Sequence, residues 1–393
     1  MLLRARSVLR SRTAAPYCGP MTPEPVVPEF DGPCLTNLVP ALLAQAAGSP
    51  TSMPAWLPGP VARARQIVLL VLDGLGAEQL AARRAVAPTL AAASAGTLTS
   101  VAPSTTVAAL TSLTTGLPPA VHGVVGYRVH VAGDILNVLT WRLGGEDARQ
   151  AVPPRAFQRF PSFPGLETVP VVSRADYGPT GFTAAHLGDA DLHGWHTASG
   201  LVVEVGRLVD AGNPFVYAYY DGIDKVAHAT GLGEHYDAEV AAADRLVADL
   251  LDRLAPGTVL VVTADHGQVE VGANVEVLGG DVMEGVTLLS GEGRFRWLHT
   301  RPGAADDVAA AARGAFGHLA WIRTAEEMVE EGWLGGEPVP AVADRLGDVA
   351  LVPFEPTAFL DPADIGELRL VSRHGSLTSA EMCVPVLAWE PGL

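Results

Sequence analysis

Short groups of acids and histidines lie far apart in this chain and together offer the ligands of a metal centre. Asp73 closes the run IVLLVLDGLG, and Asp224 and His228 stand four apart in YAYYDGIDKVAHATG. Asp265 and His266 are adjacent in VLVVTADHG, and His374 sits in the late segment SRHGSLTSAEMCVP. Between the first two groups, PSTTVAALTSLTTG presents the hydroxyls of Ser104, Thr105 and Thr106. Carboxylates and imidazoles suit hard and borderline divalent ions, and these ligands are enough for two of them. Two ions beside a hydroxyl nucleophile form an arrangement that attacks phosphorus.

Each residue also has a plainer reading. Asp73 could cap the helix that follows it. Asp224 and His228 share one helical face, and alone they would be a hydrogen-bonded pair. Asp221 is either a partner that orients a histidine or a loop acid. Asp265 and His266 have little structural reason to end an apolar strand together. The hydroxyls at 104–106 suit an N-cap, but a helix start also presents free N–H groups to a phosphate. His374 alone would be an exposed loop histidine. His122 is expected to support a turn, and His186, His193, His196, His235, His299 and His318 to be structural or superficial, with the alternative that His186 and His193 to His196 approach the site from an inserted segment.

The elements that position these groups are readable from apolar patterning. IVLLVL, FVYAYY and TVLVVT are continuous apolar runs, as expected of strands buried on both faces. Residues 97–101 read as a further strand. Helices are expected at 77–85, 106–115 and 234–254, the last with Val240, Ala243, Leu246, Val247, Leu250 and Leu254 on one face. LTNLVPALLAQAAG is an earlier helix candidate. Alternating strands and helices imply an α/β fold with a mostly parallel sheet covered on both sides. Three of the acidic groups directly follow strands, and ligands in such sheets gather at the carboxyl ends. Residues 1–60 read as an N-terminal extension and 61–393 as one catalytic domain. Within it, 127–195 and 275–345 read as inserted, cap-like segments that set selectivity.

Composition narrows the partners. A net charge of -17 disfavours binding a nucleic acid polymer, and no run is long enough for a membrane helix. Cys18, Cys34 and Cys383 form no CxxC pair or disulfide framework. Arginines interrupt every apolar run near the start, so no secretory signal is expected. Met21 is a candidate start, which would leave 1–20 outside the mature protein. A cytoplasmic location is expected, and nothing in the sequence sets an oligomeric state.

In their order along the chain, these motifs resemble the alkaline phosphatase superfamily, specifically its nucleotide pyrophosphatase and type I phosphodiesterase branch. The resemblance spans about residues 65–387 and implies an alkaline-phosphatase-like three-layer α/β/α sandwich. It implies two divalent ions, zinc first and manganese as the alternative. One would be held by Asp224, His228 and His374, the other by Asp73, Asp265 and His266, with Thr106 bridging toward the second. Members of this branch place the nucleophile ten residues before the glycine of a TG pair, which here gives Thr106. Three residues on, where the family often carries asparagine, this chain has Ala109. Transition-state charge would then rest on the metals and on N–H groups near Val107. Sulfatase chemistry is excluded, because no cysteine lies in a CxPxR-like motif.

The implied function is hydrolysis of a small phosphorylated substrate, nucleotides included. Alternatives are a phosphotransferase or phosphomutase with the same metals, and a metal-binding relative without catalysis. Tyr127 and Lys225 are candidate substrate contacts. Trp141, Trp195 and Trp297 could stack on an aryl group or simply pack.

Overall fold

A computed structural model describes residues 22–48 and 53–389. Seven strands make the central sheet: β1 Gln66–Leu72, β2 Ser94–Thr99, β3 Pro170–Arg174, β4 Asp191–Trp195, β5 Phe215–Tyr220, β6 Thr258–Thr263 and β7 Cys383–Trp389. Their spatial order is β2-β7-β6-β1-β5-β3-β4. β1 pairs in parallel with β6 and β5, and β3 in parallel with β5 and β4. β7 runs against both its neighbours, β6 and β2. Six strands therefore end at one edge, and β7 begins there. β1 and β6 are apolar apart from their ends and are buried almost throughout, as strands covered on both faces must be.

Helices α1 Leu35–Ala46, α2 Thr106–Thr115, α3 Ala198–Asp210, α4 Gly222–Thr230 and α5 Glu234–Arg253 flank the sheet. The result is the expected α/β sandwich around a mostly parallel sheet. α5 buries Val240, Ala243, Leu246, Val247 and Leu250, the face its spacing anticipates. α2 is almost wholly buried and stops at Gly116, whose φ of 71° is a left-handed cap that glycine adopts without a Cβ penalty.

Three expected boundaries are corrected. Residues 127–195 are not wholly an insertion, because β3 and β4 lie inside them and complete one side of the central sheet. What lies outside the sheet there is a small antiparallel meander, from Arg128–Val131 to Glu146–Asp147. Nor are residues 22–48 an appendage: Cys34, Leu35, Leu38, Val39 and Leu42 are fully buried in the main core, and Cys34 bridges Thr99 of β2. The segment read as 1–20, with Cys18, lies outside the described residues. The later inserted segment extends past its expected end at 345, because its four-stranded antiparallel sheet is ordered Val286–Glu292, Phe295–Thr300, Val349–Pro353 and Ala320–Thr324, over its own smaller core.

Candidate two-metal active site

At the carboxyl edge of the sheet, β1 delivers Asp73, β5 leads through Asp221 into α4 with Asp224 and His228, and β6 leads to Asp265 and His266. α2 begins at Thr106 after β2, and His374 lies in the loop before β7. Residues up to 301 apart thus meet because parallel strands end together. Glycines permit the closest approaches. A Cβ on Gly74 would lie 3.0 Å from the Asp224 Cβ, and one on Gly267 would lie 2.0 Å from the Ala380 carbonyl oxygen.

Two sets of donor atoms are each compact enough for one ion, with all atoms within 4.8 Å of one another. They are Asp73, Asp265 and His266, and Asp224, His266 and His374. His266 belongs to both sets. His228 joins the second through Asp224, its Nε2 lying 3.2 Å from Oδ1. The Thr106 hydroxyl is 3.1 Å from His266 Nε2, so the candidate nucleophile touches the first set.

The hydrogen bonds leave one oxygen of each buried acid bare. Asp265 Oδ1 accepts from the amides of Gly74 and His266, and Asp73 Oδ2 accepts from the Tyr219 phenol. Asp73 Oδ1 and Asp265 Oδ2 are buried without a hydrogen-bond partner, and each lies 3.4 Å from His266 Nε2. Such bare buried oxygens are costly unless a cation occupies the space between them. The imidazoles are oriented to match. His266 Nδ1 is 3.0 Å from the Gly267 carbonyl, His228 Nδ1 2.7 Å from that of Ser372, and His374 Nδ1 3.0 Å from that of Ser104. A carbonyl only accepts, so each Nδ1 carries the proton and each Nε2 presents a lone pair to the acids.

Electrostatics point the same way. Burial raises the Asp73 carboxyl well above its ordinary range, and Asp265 and Asp224 raise it further. Burial also raises Asp265. Burial, then His266 and His228, holds His374 well below the usual imidazole range. Crowded acids that resist ionisation beside imidazoles that resist protonation are the condition a divalent cation reverses.

Loop 100–105 is fastened to this centre. The Ser100 hydroxyl donates to the Asp265 carbonyl at 2.5 Å. The Ser104 hydroxyl donates to the Ser376 carbonyl at 2.7 Å and accepts from the Gly375 amide at 3.2 Å. Ser104 is therefore a clamp, and of the three hydroxyls at 104–106 it is Thr106 whose hydroxyl faces an imidazole of the cluster. The α2 start leaves the amides of Thr106, Val107 and Ala108 without intrahelical acceptors. Val107 itself has a buried side chain.

Two lobes open beside Thr106, and both are lined by Asp224 and Leu139. One, of about 300 Å³, is mainly apolar, with Leu110, Tyr177, Phe182 and His186. Lys225 lines it but is paired with Asp221, which also accepts from the Tyr177 phenol. The other, of about 370 Å³ and called the polar lobe for its lining residues, has Tyr127, Glu292, Glu367 and Arg373 in its wall, although most of its surface is apolar too. Of the expected aromatic contacts, Tyr127 reaches this lobe. Trp141, Trp195 and Trp297 instead donate to the carbonyls of Val152, Tyr219 and Val125 and pack in the core. His122 is bound to the Ser112 hydroxyl and the Val124 amide, the turn-supporting role anticipated.

Three participants were not read from the sequence. Tyr219 orients Asp73, Tyr177 holds Asp221, and the Gln268 amide donates to Asp224 Oδ1 at 2.6 Å. The available signal was FVYAYY itself. A buried strand that carries three phenols needs partners for their hydroxyls; Tyr219 finds Asp73 and Tyr220 finds Glu239, whereas the Tyr217 hydroxyl has no hydrogen-bond partner among the described residues.

The fold and the clustered ligands define a metal-dependent hydrolase of the alkaline phosphatase superfamily. The family model for type I phosphodiesterase/nucleotide pyrophosphatase matches residues 67–188 and 187–377. The chain belongs to that family, whose members hydrolyse phosphoester or pyrophosphate bonds. Among solved structures it is similar to murine ectonucleotide pyrophosphatase/phosphodiesterase 5, at 16% identity and a TM-score of 0.62, over 82% of this chain and 87% of that one. A structure of an inactive threonine-to-alanine variant of that murine protein with AMP also matches, at 16% identity and TM-score 0.60, over 83% and 88%. Phosphonoacetate hydrolase from Sinorhizobium meliloti 1021 in complex with phosphonoformate matches at 19% identity and TM-score 0.61, over 85% and 90%. No curated protein sequence matches the chain. No helix of the described residues is long and apolar enough to cross a membrane.

Proposed function

We propose that the chain hydrolyses small phosphoesters or phosphoanhydrides with Thr106 as nucleophile and two zinc ions held by Asp73, Asp224, His228, Asp265, His266 and His374. The observation that carries this reading is the set of bare ligand atoms converging beside Thr106 Oγ1, 3.1 Å from His266 Nε2. Bound there, the ions would lower the pKa of an oxygen nucleophile and neutralise phosphoryl charge. Thr106 Oγ1 gives its proton to solvent, attacks phosphorus in line and breaks the bond to the ester oxygen, which takes a proton from solvent and leaves as the alcohol, so that a phosphothreonine remains. Water then attacks that phosphorus from the opposite side and restores the hydroxyl. The free amides at the start of α2, Val107 included, face the phosphoryl oxygens as donors. AMP in the inactive variant of the murine relative brings nucleotides into the substrate class. The unpaired thiols of Cys34 and Cys383 fit work in a reducing compartment such as the cytoplasm.

The test is hydrolysis of bis-p-nitrophenyl phosphate and p-nitrophenyl phosphate by zinc-loaded protein. Thr106→Ala should lower turnover on the better substrate by about a thousandfold or more, with metal content unchanged. Normal turnover by that variant would remove Thr106 from the reaction. A diester preference would place the chain among phosphodiesterases despite Ala109.

A further inference from the structure

The polar lobe is lined by a buried arginine whose two terminal nitrogens have no hydrogen-bond partner among the described residues. Three arginines lie close together around Glu367 and Gly293, and two are already matched. Arg294 forms a forked pair with Glu381, at 3.0 and 2.6 Å. Arg296 Nη2 lies 2.7 Å from Glu367 Oε2, and the other oxygen of Glu367 accepts from the Gly293 amide at 2.9 Å. Arg373 differs. It is 3% exposed, and among the described residues both its Nη1 and Nη2 lack a hydrogen-bond partner. Its single hydrogen bond among the described residues is a long one, from Nε to the Leu370 carbonyl at 3.5 Å, and the charge of Glu367 lies near enough to be felt.

A buried guanidinium with two idle donors is expensive to leave unpaired. The space before the fork is kept clear. A Cβ on Gly293 would stand 3.0 Å from Arg373 Nη1, and both residues line the lobe with Thr106 and His374. Glu292 lines the same lobe. One of its oxygens accepts from the Tyr127 amide at 2.9 Å, and burial pushes its carboxyl up to about 8. Near neutral pH it carries a proton and can donate to an anion.

We infer that the polar lobe seats a second anion of the substrate, a carboxylate or a phosphate on one arm of the scissile phosphoryl group, gripped by the Arg373 fork. The inference rests on the hydrolase reading of Thr106 and adds a specificity determinant to it. The planar fork fits two oxygens of either anion. A substrate with phosphorus at Thr106 then places an apolar or aryl arm beside Leu110, Tyr177 and Phe182 and an anionic arm beneath Gly293.

The experiment compares three p-nitrophenyl diesters on zinc-loaded protein, with a second arm that is ethyl, carboxyethyl or phosphoethyl. The native chain should favour an anionic arm over ethyl by roughly tenfold to a hundredfold in kcat/KM, and the larger of the two ratios identifies the anion. Arg373→Ala should bring the ratio close to one. Arg373→Lys should give an intermediate ratio, and Gly293→Ala should reduce it by crowding the fork. No preference in the native chain, or equal losses on all three esters in Arg373→Ala, would overturn the inference, because a purely structural role beside His374 keeps the ratio constant. If Arg373→Ala does not fold, Arg373→Lys and Gly293→Ala decide by the same ratio. If the native chain hydrolyses none of the esters, the hydrolase reading fails, and calorimetry with malonate and pyrophosphate decides the anion seat separately. Binding that Arg373→Lys weakens about tenfold upholds the seat, whereas equal or absent binding overturns it.

Discussion

The two halves of the candidate metal centre are built from the same residue types but differ in access. The side chains of Asp73, Asp265 and His266 are 4%, 0% and 0% exposed, whereas those of Asp224, His228 and His374 are 12%, 22% and 10% exposed. The enclosed half grows directly from the ends of β1 and β6, the most buried strands of the sheet. The open half is carried by α4 and by a loop, and it faces both lobes. A strand end sheathed on both faces fixes its ligands and excludes water. A helix turn at the rim leaves more room. On the proposed reading, the enclosed half would hold its ion the more firmly and lie against the Thr106 hydroxyl, and the open half would be the one that meets the incoming ligand.

The sharpest way to break this comparison is Asp265→Asn. It should cost on the order of a thousandfold in kcat/KM and one equivalent of metal, with no rescue by added zinc. His228→Ala at the rim should weaken metal binding by about ten- to a hundredfold, and excess zinc should restore much of the turnover. Equal, unrescued losses in both variants would erase the distinction. Tyr219→Phe tests the enclosed half more gently, because it removes the phenol that fixes Asp73 while keeping the ring. Metal affinity should fall about tenfold, and unchanged affinity would mean that Asp73 is held by packing alone.

The smallest effect concerns buried histidines that no acid attends. Burial lowers His122 to about 3 and His186 to about 4. Their folded pKa values lie below the unfolded one, so their contribution is complete above about 6.5. It is lost as the pH falls, because the unfolded chain takes up the proton first. For His122 the loss between pH 6.5 and 5 is on the order of 2 kcal/mol. Urea titrations at those two pH values should show a flatter acid limb for His122→Asn. An identical slope would mean that His122 is protonated in the fold.

The enclosed half was also the more legible in the sequence. IVLLVLD and VLVVTADH declare both a buried strand and the chemistry at its end. The open half was legible as residue types, but not its sharing of His266 with the enclosed set. That sharing depends on how α4 and the loop of His374 approach β6, and no local pattern encodes such a crossing. β3 and β4 escaped notice for a different reason. PVVSR is short, and DLHGW is an edge strand with mostly exposed side chains, so neither offers the apolar run or the alternation that marks a strand. α1 was visible as a helix, yet its place in the main core follows from tertiary packing against α2. Arg373 was passed over because an arginine beside a candidate ligand looks like a surface charge until its burial and idle donors are seen.

The Ser104 clamp has a consequence for the order in which the protein becomes active during synthesis. The nucleophile loop is held by Gly375 and Ser376, and the strand between β2 and β6 is β7, which ends at Trp389. The earlier elements can collapse as they emerge from the ribosome, but β7, which joins β2 to the rest of the sheet, and the partners that clamp Ser104 come later in the chain than all of them. A nascent chain that stops short of residues 375–389 therefore holds the acids at the ends of β1 and β6 but lacks both the clamp on Ser104 and the strand that ties β2 into the sheet, so the Thr106 segment would be set only after they emerge.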